Sequence, residues 1–223
     1  MRDLLPDAVF DGIAKQFRSA TADAVEDFED NKADEDSLTG ALASTLKRGV
    51  RGKAAVGRSS YTWRTSLRKL RGRGWGAPEN TYGADAVLEI EVVDDLGVVL
   101  GRKLVPLQAK KNWKGTDRHL VEQCHRMDEL PGNSLAVDYS ASGYTAVRSE
   151  AVVSAGGNRR AIPRGEIRSL GDALAGEFLE CRVGSRDLYY DPDREVMVFQ
   201  GVAGQRVVPF GASYRVKTTV KKR

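Results

Sequence analysis

From Ala84 to Val93 the chain reads Ala-Asp-Ala-Val-Leu-Glu-Ile-Glu-Val-Val, alternating with the period of two that a half-buried strand imposes. Ala86, Leu88, Ile90 and Val92 mark an apolar face, and Asp85, Glu89 and Glu91 an acidic one. A turn at Asp94-Asp95-Leu96-Gly97 leads into Val98 to Lys110, where Val105, Leu107 and Ala109 alternate with Gln108 and Lys110. The pair reads as a β-hairpin. A one-residue slip exchanges the faces of a strand, so the register is limited by parity. A loop of two or four residues sets Asp85 opposite Pro106, and Ala86 and Val92 against Val105 and Val99. An odd loop would split both faces unless a bulge compensates. In either allowed case Asp85, Gln108 and Lys110 project to one side.

Asp85 followed by Gln108-Ala109-Lys110 resembles the PD-(D/E)xK nuclease superfamily, in the restriction-endonuclease-like variant that carries Gln-x-Lys. The resemblance spans roughly residues Asp34 to Tyr139, with Ala84 in place of the proline and Gln108 in place of the second acid. It implies a restriction-endonuclease-like α/β core, a mixed central sheet flanked by helices. It also implies a further carboxylate on a helix before the first strand, for which Glu35 is the matching residue and Glu79 a second candidate. Glu35 shares a helical stripe with Leu38, Leu42 and Leu46, on the side that packs. An acidic first turn favoured by the helix dipole explains Asp34 and Asp36 equally well.

The implied activity is magnesium-dependent hydrolysis of DNA phosphodiester bonds, with manganese able to substitute, as in a restriction or anti-phage defence endonuclease. Such hydrolysis needs a hard cation held by oxygen ligands. Glu35 and Asp85 supply anionic oxygens, Gln108 a neutral carbonyl, and Lys110 a point charge for attacking water or developing phosphoryl charge. A noncatalytic nucleic-acid-binding or partner-binding subunit on a degenerate nuclease scaffold is the alternative. A solvent-facing hairpin whose Asp and Lys merely attract each other is the plainest reading of the same residues. Glu89 and Glu91, on the same side, read as solvated or lysine-paired strand glutamates.

Charge is distributed unevenly around a net of +4: residues 1 to 36 hold 11 acids against 4 Lys or Arg. From Lys47 to Arg73 stand ten basic residues and no acid: Lys47, Arg48, Arg51, Lys53, Arg58, Arg64, Arg68, Lys69, Arg71 and Arg73. With Tyr61, Trp63 and Trp75 among them, the block reads as a phosphate-binding surface for DNA, RNA not being excluded, or as a glycine-rich solvated linker. Lys111 and Lys114 extend the surface, and Gln123 and His125 are further phosphate contacts to consider. Lys217 and Lys221-Lys222-Arg223 are a possible continuation.

The 223 residues, 41% of them hydrophobic, suffice for one well-buried unit. The expected organisation is a nuclease-like core with an acidic N-terminal helix region over 1–165, and a C-terminal helix with a small β elaboration over 166–223 packed on it. A helix capped by Thr116 or Asp117 carries Leu120, Val121, Cys124, Met127 and Leu130. A strand follows at Ser134 to Tyr139, and Gly143 to Val153 continues extended. A helix from about Ser169 to Cys181 precedes short strands at Leu188 to Tyr190, Glu195 to Phe199 and Gln205 to Pro209. Cys124 and Cys181 are expected as small core residues, and with His119 and His125 form no zinc set. No stretch has membrane-spanning length and the start lacks a signal-peptide core, so a cytoplasmic protein with no membrane partner is expected. A homodimer or a companion defence subunit is a possible partner, the acidic N-terminal segment being the surface for the latter.

Overall fold

The computed structural model describes residues 1–201 and 204–207. The chain opens with α1 (Asp7–Glu26), α2 (Phe28–Asn31) and α3 (Glu35–Gly49), then β1 (Arg51–Val56) and β2 (Ser59–Lys69). Next come α4 (Pro78–Tyr82), β3 (Ala86–Val93), β4 (Val99–Lys111), α5 (Arg118–Met127), β5 (Leu135–Tyr139) and β6 (Thr145–Arg148). The rest is α6 (Ser149–Ser154), β7 (Arg168–Ser169), α7 (Leu170–Asp172) running into a π-helical stretch at Ala173–Phe178, and β8 (Leu188–Asp191), β9 (Val196–Gly201) and β10 (Gly204–Val207). Strands β1 to β7 form one seven-stranded sheet in sequence order, and β8 to β10 a separate three-stranded sheet. Every neighbouring pair in the large sheet is antiparallel except β4 and β5, which are parallel. A parallel pair needs a crossover, and α5 supplies it. The protein is therefore α/β, a mostly antiparallel central sheet flanked by helices.

Alternation along β3 and β4 produces two cores. Ala86, Leu88, Ile90, Val92, Val105, Leu107 and Ala109 pack with Phe17 of α1, Leu38, Leu42 and Leu46 of α3, and Phe178 on one face. Val87, Leu104 and Ala136 pack with Tyr82 of α4, Leu120, Cys124 and Met127 of α5, Val152 of α6 and Met197 of β9 on the other. This second face is covered only over its β4–β6 side. Toward β1 and β2 it presents exposed Arg51, Lys53, Arg64 and Arg68.

The hairpin uses the odd loop. Asp94 and Val98 close the turn through Val98 O, Val93 pairs with Val99, and a bulge then resets the ladder so that Val92 pairs with Gly101. Ala86 consequently faces Leu107, and Val87 faces Pro106. The expected pairing of Asp85 with Pro106, and of Ala86 and Val92 with Val105 and Val99, is thus corrected by two residues. Parity survives, because a bulge cancels the odd loop and keeps both apolar faces together.

Further expectations change with tertiary packing. The basic block is no linker: Arg51 to Lys69 forms the β1–β2 hairpin, whose inner face buries Trp63, Thr65 and Leu67. The acidic N-terminal segment is largely the helix α1, with Val9, Ile13, Phe17, Ala20 and Ala24 buried in the first core. Residues 143–153 do not stay extended, since Ser149–Ser154 turns helical as Val152 enters the second core. Cys124 is buried as expected, whereas Cys181 is exposed at a left-handed φ of 63° and its Sγ accepts from the Met1 ammonium at 2.9 Å. Asp117 caps α5 by accepting from Leu120 N at 2.8 Å. Pro209, Lys217 and the Lys221-Lys222-Arg223 tail lie outside the described residues. Among those described, no helix is long and apolar enough to cross a membrane.

Gly83 ends α4 at φ 70°, and a β-carbon there would run into the carbonyl of Gln123 on α5. Only glycine meets both demands. Gly83→Ala is expected to lower stability by about 1–3 kcal/mol, read from denaturant melts.

Candidate active site

β4 outlasts β3. The last ladder contact is Asp85 N donating to Leu107 O at 2.9 Å, after which β4 continues to Lys111 with β5 on one side only. Backbone groups of alternate residues point the same way, so the N–H groups of Ala109 and Lys111 face the vacated side of β3. Both are met by carboxylates. Ala109 N donates to Asp85 Oδ2 at 2.7 Å, and Lys111 N donates to Glu35 Oε1 at 3.0 Å. Glu35 is the first residue of α3, fixed there by Asp34, which caps the helix through Ser37 N at 2.6 Å. The stripe of Leu38, Leu42 and Leu46, each 0% exposed, holds that helix against the sheet.

Gln108 Nε2 also donates to Asp85 Oδ2, at 2.6 Å, so both recorded bonds to the carboxylate fall on one oxygen. Gln108 is 1% exposed, and its Oε1 is buried with no hydrogen-bond partner. An orphaned amide oxygen beside a carboxylate is the donor set that a hard cation accepts. Burial pushes the Asp85 carboxyl up to about 7. The Ala109 N–H pulls it down, Glu79 raises it further, and Gln108 and Lys110 lower it. Lys110 lies with Asp85 and Gln108 on the second face and approaches Asp117 Oδ2 at 3.8 Å. The Glu79 carboxyl is raised chiefly by burial and by Asp36, while Lys110, His119 and Lys69 lower it.

The structure therefore brings Asp85, Gln108 and Lys110 to one face and Glu35 to the same strand edge. Ala109 and Lys111, which anchor the two carboxylates, are two residues and so about 7 Å apart along β4. Among the described residues no group of three His, Cys, Asp or Glu stands together as a metal site. Of the two upstream acids, Glu79 is the one that figures among the leading electrostatic influences on Asp85.

Sequence reasoning missed Asp138, the parallel partner of Lys110 on β5. Its carboxyl is raised by burial, receives Trp113 N at 2.8 Å and lies 3.6 Å from Arg159. A single acid in the apolar run Leu135-Ala136-Val137-Asp138-Tyr139 was the available signal.

The basic residues divide into two groups. Arg64 pairs with Glu91 at 2.7 Å, Lys69 with Asp36 at 3.0 Å and Arg71 with Glu195 at 2.6 Å. Lys111 Nζ donates to the carbonyls of Lys32 and Ala33. Lys47, Arg48, Arg51, Lys53, Arg58, Arg68, Arg73 and Lys114 have no ion pair among the described residues. Glu89 and Glu91 are arginine-paired: Arg102 reaches both, at 3.2 Å from Glu89. His119 and His125 are exposed on α5, while Gln123 is buried.

Comparison with protein-family models, curated proteins and solved structures gave no match.

A carboxylate whose folded pKa exceeds its unfolded value binds more protons in the native state between the two. Asp85 therefore contributes stability below its unfolded pKa, and loses that contribution as pH rises toward about 7. Thermal melts without divalent ions should show Asp85→Asn raising the midpoint at pH 8 and changing it little near pH 4. The reverse order would remove the buried-carboxylate account.

Proposed function

We propose that this chain is a metal-dependent nuclease, a magnesium-dependent endodeoxyribonuclease of the restriction or anti-phage defence kind, on a restriction-endonuclease-like core of the PD-(D/E)xK superfamily. The observation that carries the reading is the part-buried contact of Asp85 with Gln108 on the face they share with Lys110. The mixed sheet with its single parallel crossover through α5 agrees with the core that the resemblance implies. Asp85 and the unpartnered Gln108 oxygen would hold the cation, with Glu79 and Glu35 flanking them. When bound, that cation would offset phosphoryl charge and lower the pKa of its water. Lys110 brings an ammonium to the same face, where it meets charge that develops on the phosphoryl oxygens. Burial of Gln108 keeps competing water from its amide oxygen, and the partial burial of Asp85 strengthens its interactions. The exposed arginines on the same face of β1 and β2 suit the DNA backbone.

A carboxyl near pH 7 also has a mechanistic sense. Without a cation Asp85 is only about half ionised near neutrality, and a divalent charge would draw it to the carboxylate. Cation binding is then accompanied by proton release and strengthens with pH.

A second reading has its own support in the absence, among the described residues, of a preformed three-carboxylate cluster. On that reading the chain binds nucleic acid without cutting it, and a chelator changes nothing. Plasmid incubated with magnesium or manganese separates the two. Wild type should nick or linearise it, with Asp85→Ala and Lys110→Ala each about a hundredfold slower while still binding DNA. Equal rates in all three proteins, or activity that survives EDTA, would refute catalysis at this site.

A further inference from the structure

The uncovered part of the second sheet face is recessed into a cavity of ≈ 560 Å³, walled by Lys47, Arg51, Arg64, Arg68 and Arg102 with Glu89 and Glu91. Five cations stand against two carboxylates. The carboxylates act as a splint: Arg64 binds Glu91 Oε1 through Nε at 3.1 Å and Nη2 at 2.7 Å, and Arg102 binds Oε2 through Nε at 3.1 Å and through Nη2. Glu91 is only 7% exposed at its side chain, and burial, which alone would raise its carboxyl, is outweighed by the two guanidiniums. Each guanidinium is thus held by one edge, and its Nη1 end has no protein partner among the described residues. Fixed donors of this kind bind phosphate without the cost of ordering a long side chain. Arg68 and Arg51 have no ion pair among the described residues.

The cavity adjoins the candidate active site. Arg68 pairs with Val87, and Leu70, just past the end of β2, donates its N–H to Asp85 O at 2.7 Å. That separation is about 7 Å by strand rise. The loop from Leu70 to α4 carries Trp75, which is 100% exposed. This loop is held in place: Glu79 N donates to Arg71 O at 3.3 Å, and Arg71 is bound to Glu195. A fully exposed indole on an anchored loop joins neither core, and its free ring can serve as a stacking surface.

From these observations we propose that the cavity and Trp75 together take an unpaired nucleic-acid strand, with its phosphates on the Arg64–Glu91–Arg102 clamp and Arg68, and a base stacked on Trp75. The volume is that of a small-ligand pocket, enough for one or two nucleotides and too small for a duplex. Stacking on an indole requires a base that has left its own stack. The proposal rests on the nuclease reading for its orientation, and makes a single-stranded segment, a frayed end or a flap the preferred part of the substrate.

The test is fluorescence anisotropy in EDTA, using the full chain with a fluorescein-labelled single-stranded oligodeoxynucleotide and the same sequence as a blunt duplex. Wild type should bind the single strand more tightly. The Arg51→Ala/Arg68→Ala variant should lose about tenfold on the single strand and flatten the salt dependence by about 0.7 per lost phosphate contact. Trp75→Ala should weaken single-strand binding, Trp75→Phe should restore most of it, and Lys15→Ala, exposed on α1 across the opposite sheet face, should change little. Duplex binding at least as tight, or single-strand binding indifferent to both the arginine and the Trp75 substitutions, overturns the proposal. Asp85→Ala keeps the two readings apart. If strand binding passes these tests but wild type never cuts, catalysis fails and the strand site stands. If wild type cuts in a manner that needs Asp85 while the arginine and Trp75 variants cut single strands at the full rate, the strand site fails and catalysis stands.

Discussion

The unequal lengths of β3 and β4 govern the rest of the site. β4 runs on after Asp85 has made the last ladder bond, and its next two N–H groups on that side need acceptors. An unsatisfied buried N–H costs about 1–3 kcal/mol, enough to select the side chains that can answer it. Asp85 and Glu35 do so from two different elements. The bonds that complete the sheet thereby fix two part-buried carboxylates at its margin. Structural completion and electrostatic strain arise from the same contacts, because an Asp in that place gains two hydrogen bonds yet has its carboxyl pushed up to about 7.

The second sheet face divides the protein's labour. Over β4, β5 and β6 it is sealed by α4, α5, α6 and the β8–β9 hairpin, which gives Asp85, Gln108 and Lys110 a low-dielectric setting. Over β1 and β2 it is open and basic. Ion pairing turns part of that charge inward: Glu91, almost buried between strands, cancels some of the arginine charge while holding the guanidiniums in place. Exposed Arg51 and Arg68 leave the net potential positive next to the carboxylate site.

Glu35 and Glu79 illustrate how a sequence motif underdetermines a site. The helical stripe under Glu35 correctly places it toward the sheet, and the structure seats it on Lys111 N. Its charge is the last of the influences that raise Asp138 and Tyr139, while Asp85 responds to Glu79. Glu79 reaches this position because the left-handed turn at Gly83 folds α4 back beside Asp85, a route that no residue spacing specifies.

What the sequence determined by itself was local and periodic. Alternation of apolar and polar residues in β3 and β4 set which side chains share a face, and the capping and stripe residues set α3 and α5. These features depend only on neighbours a few positions away. Tertiary structure decided the rest. The odd loop and the bulge between Val92 and Val93 together shifted the register by two residues, which parity could not distinguish. Burial of Trp63, Thr65 and Leu67 turned a basic, glycine-containing stretch into an edge hairpin, and burial of Val152 turned an extended-looking segment into α6. The raised carboxyl of Asp85, the orphaned oxygen of Gln108 and the Arg64–Glu91–Arg102 clamp each depend on desolvation and on groups distant in the chain. Such energies exist only once the layers have closed over them.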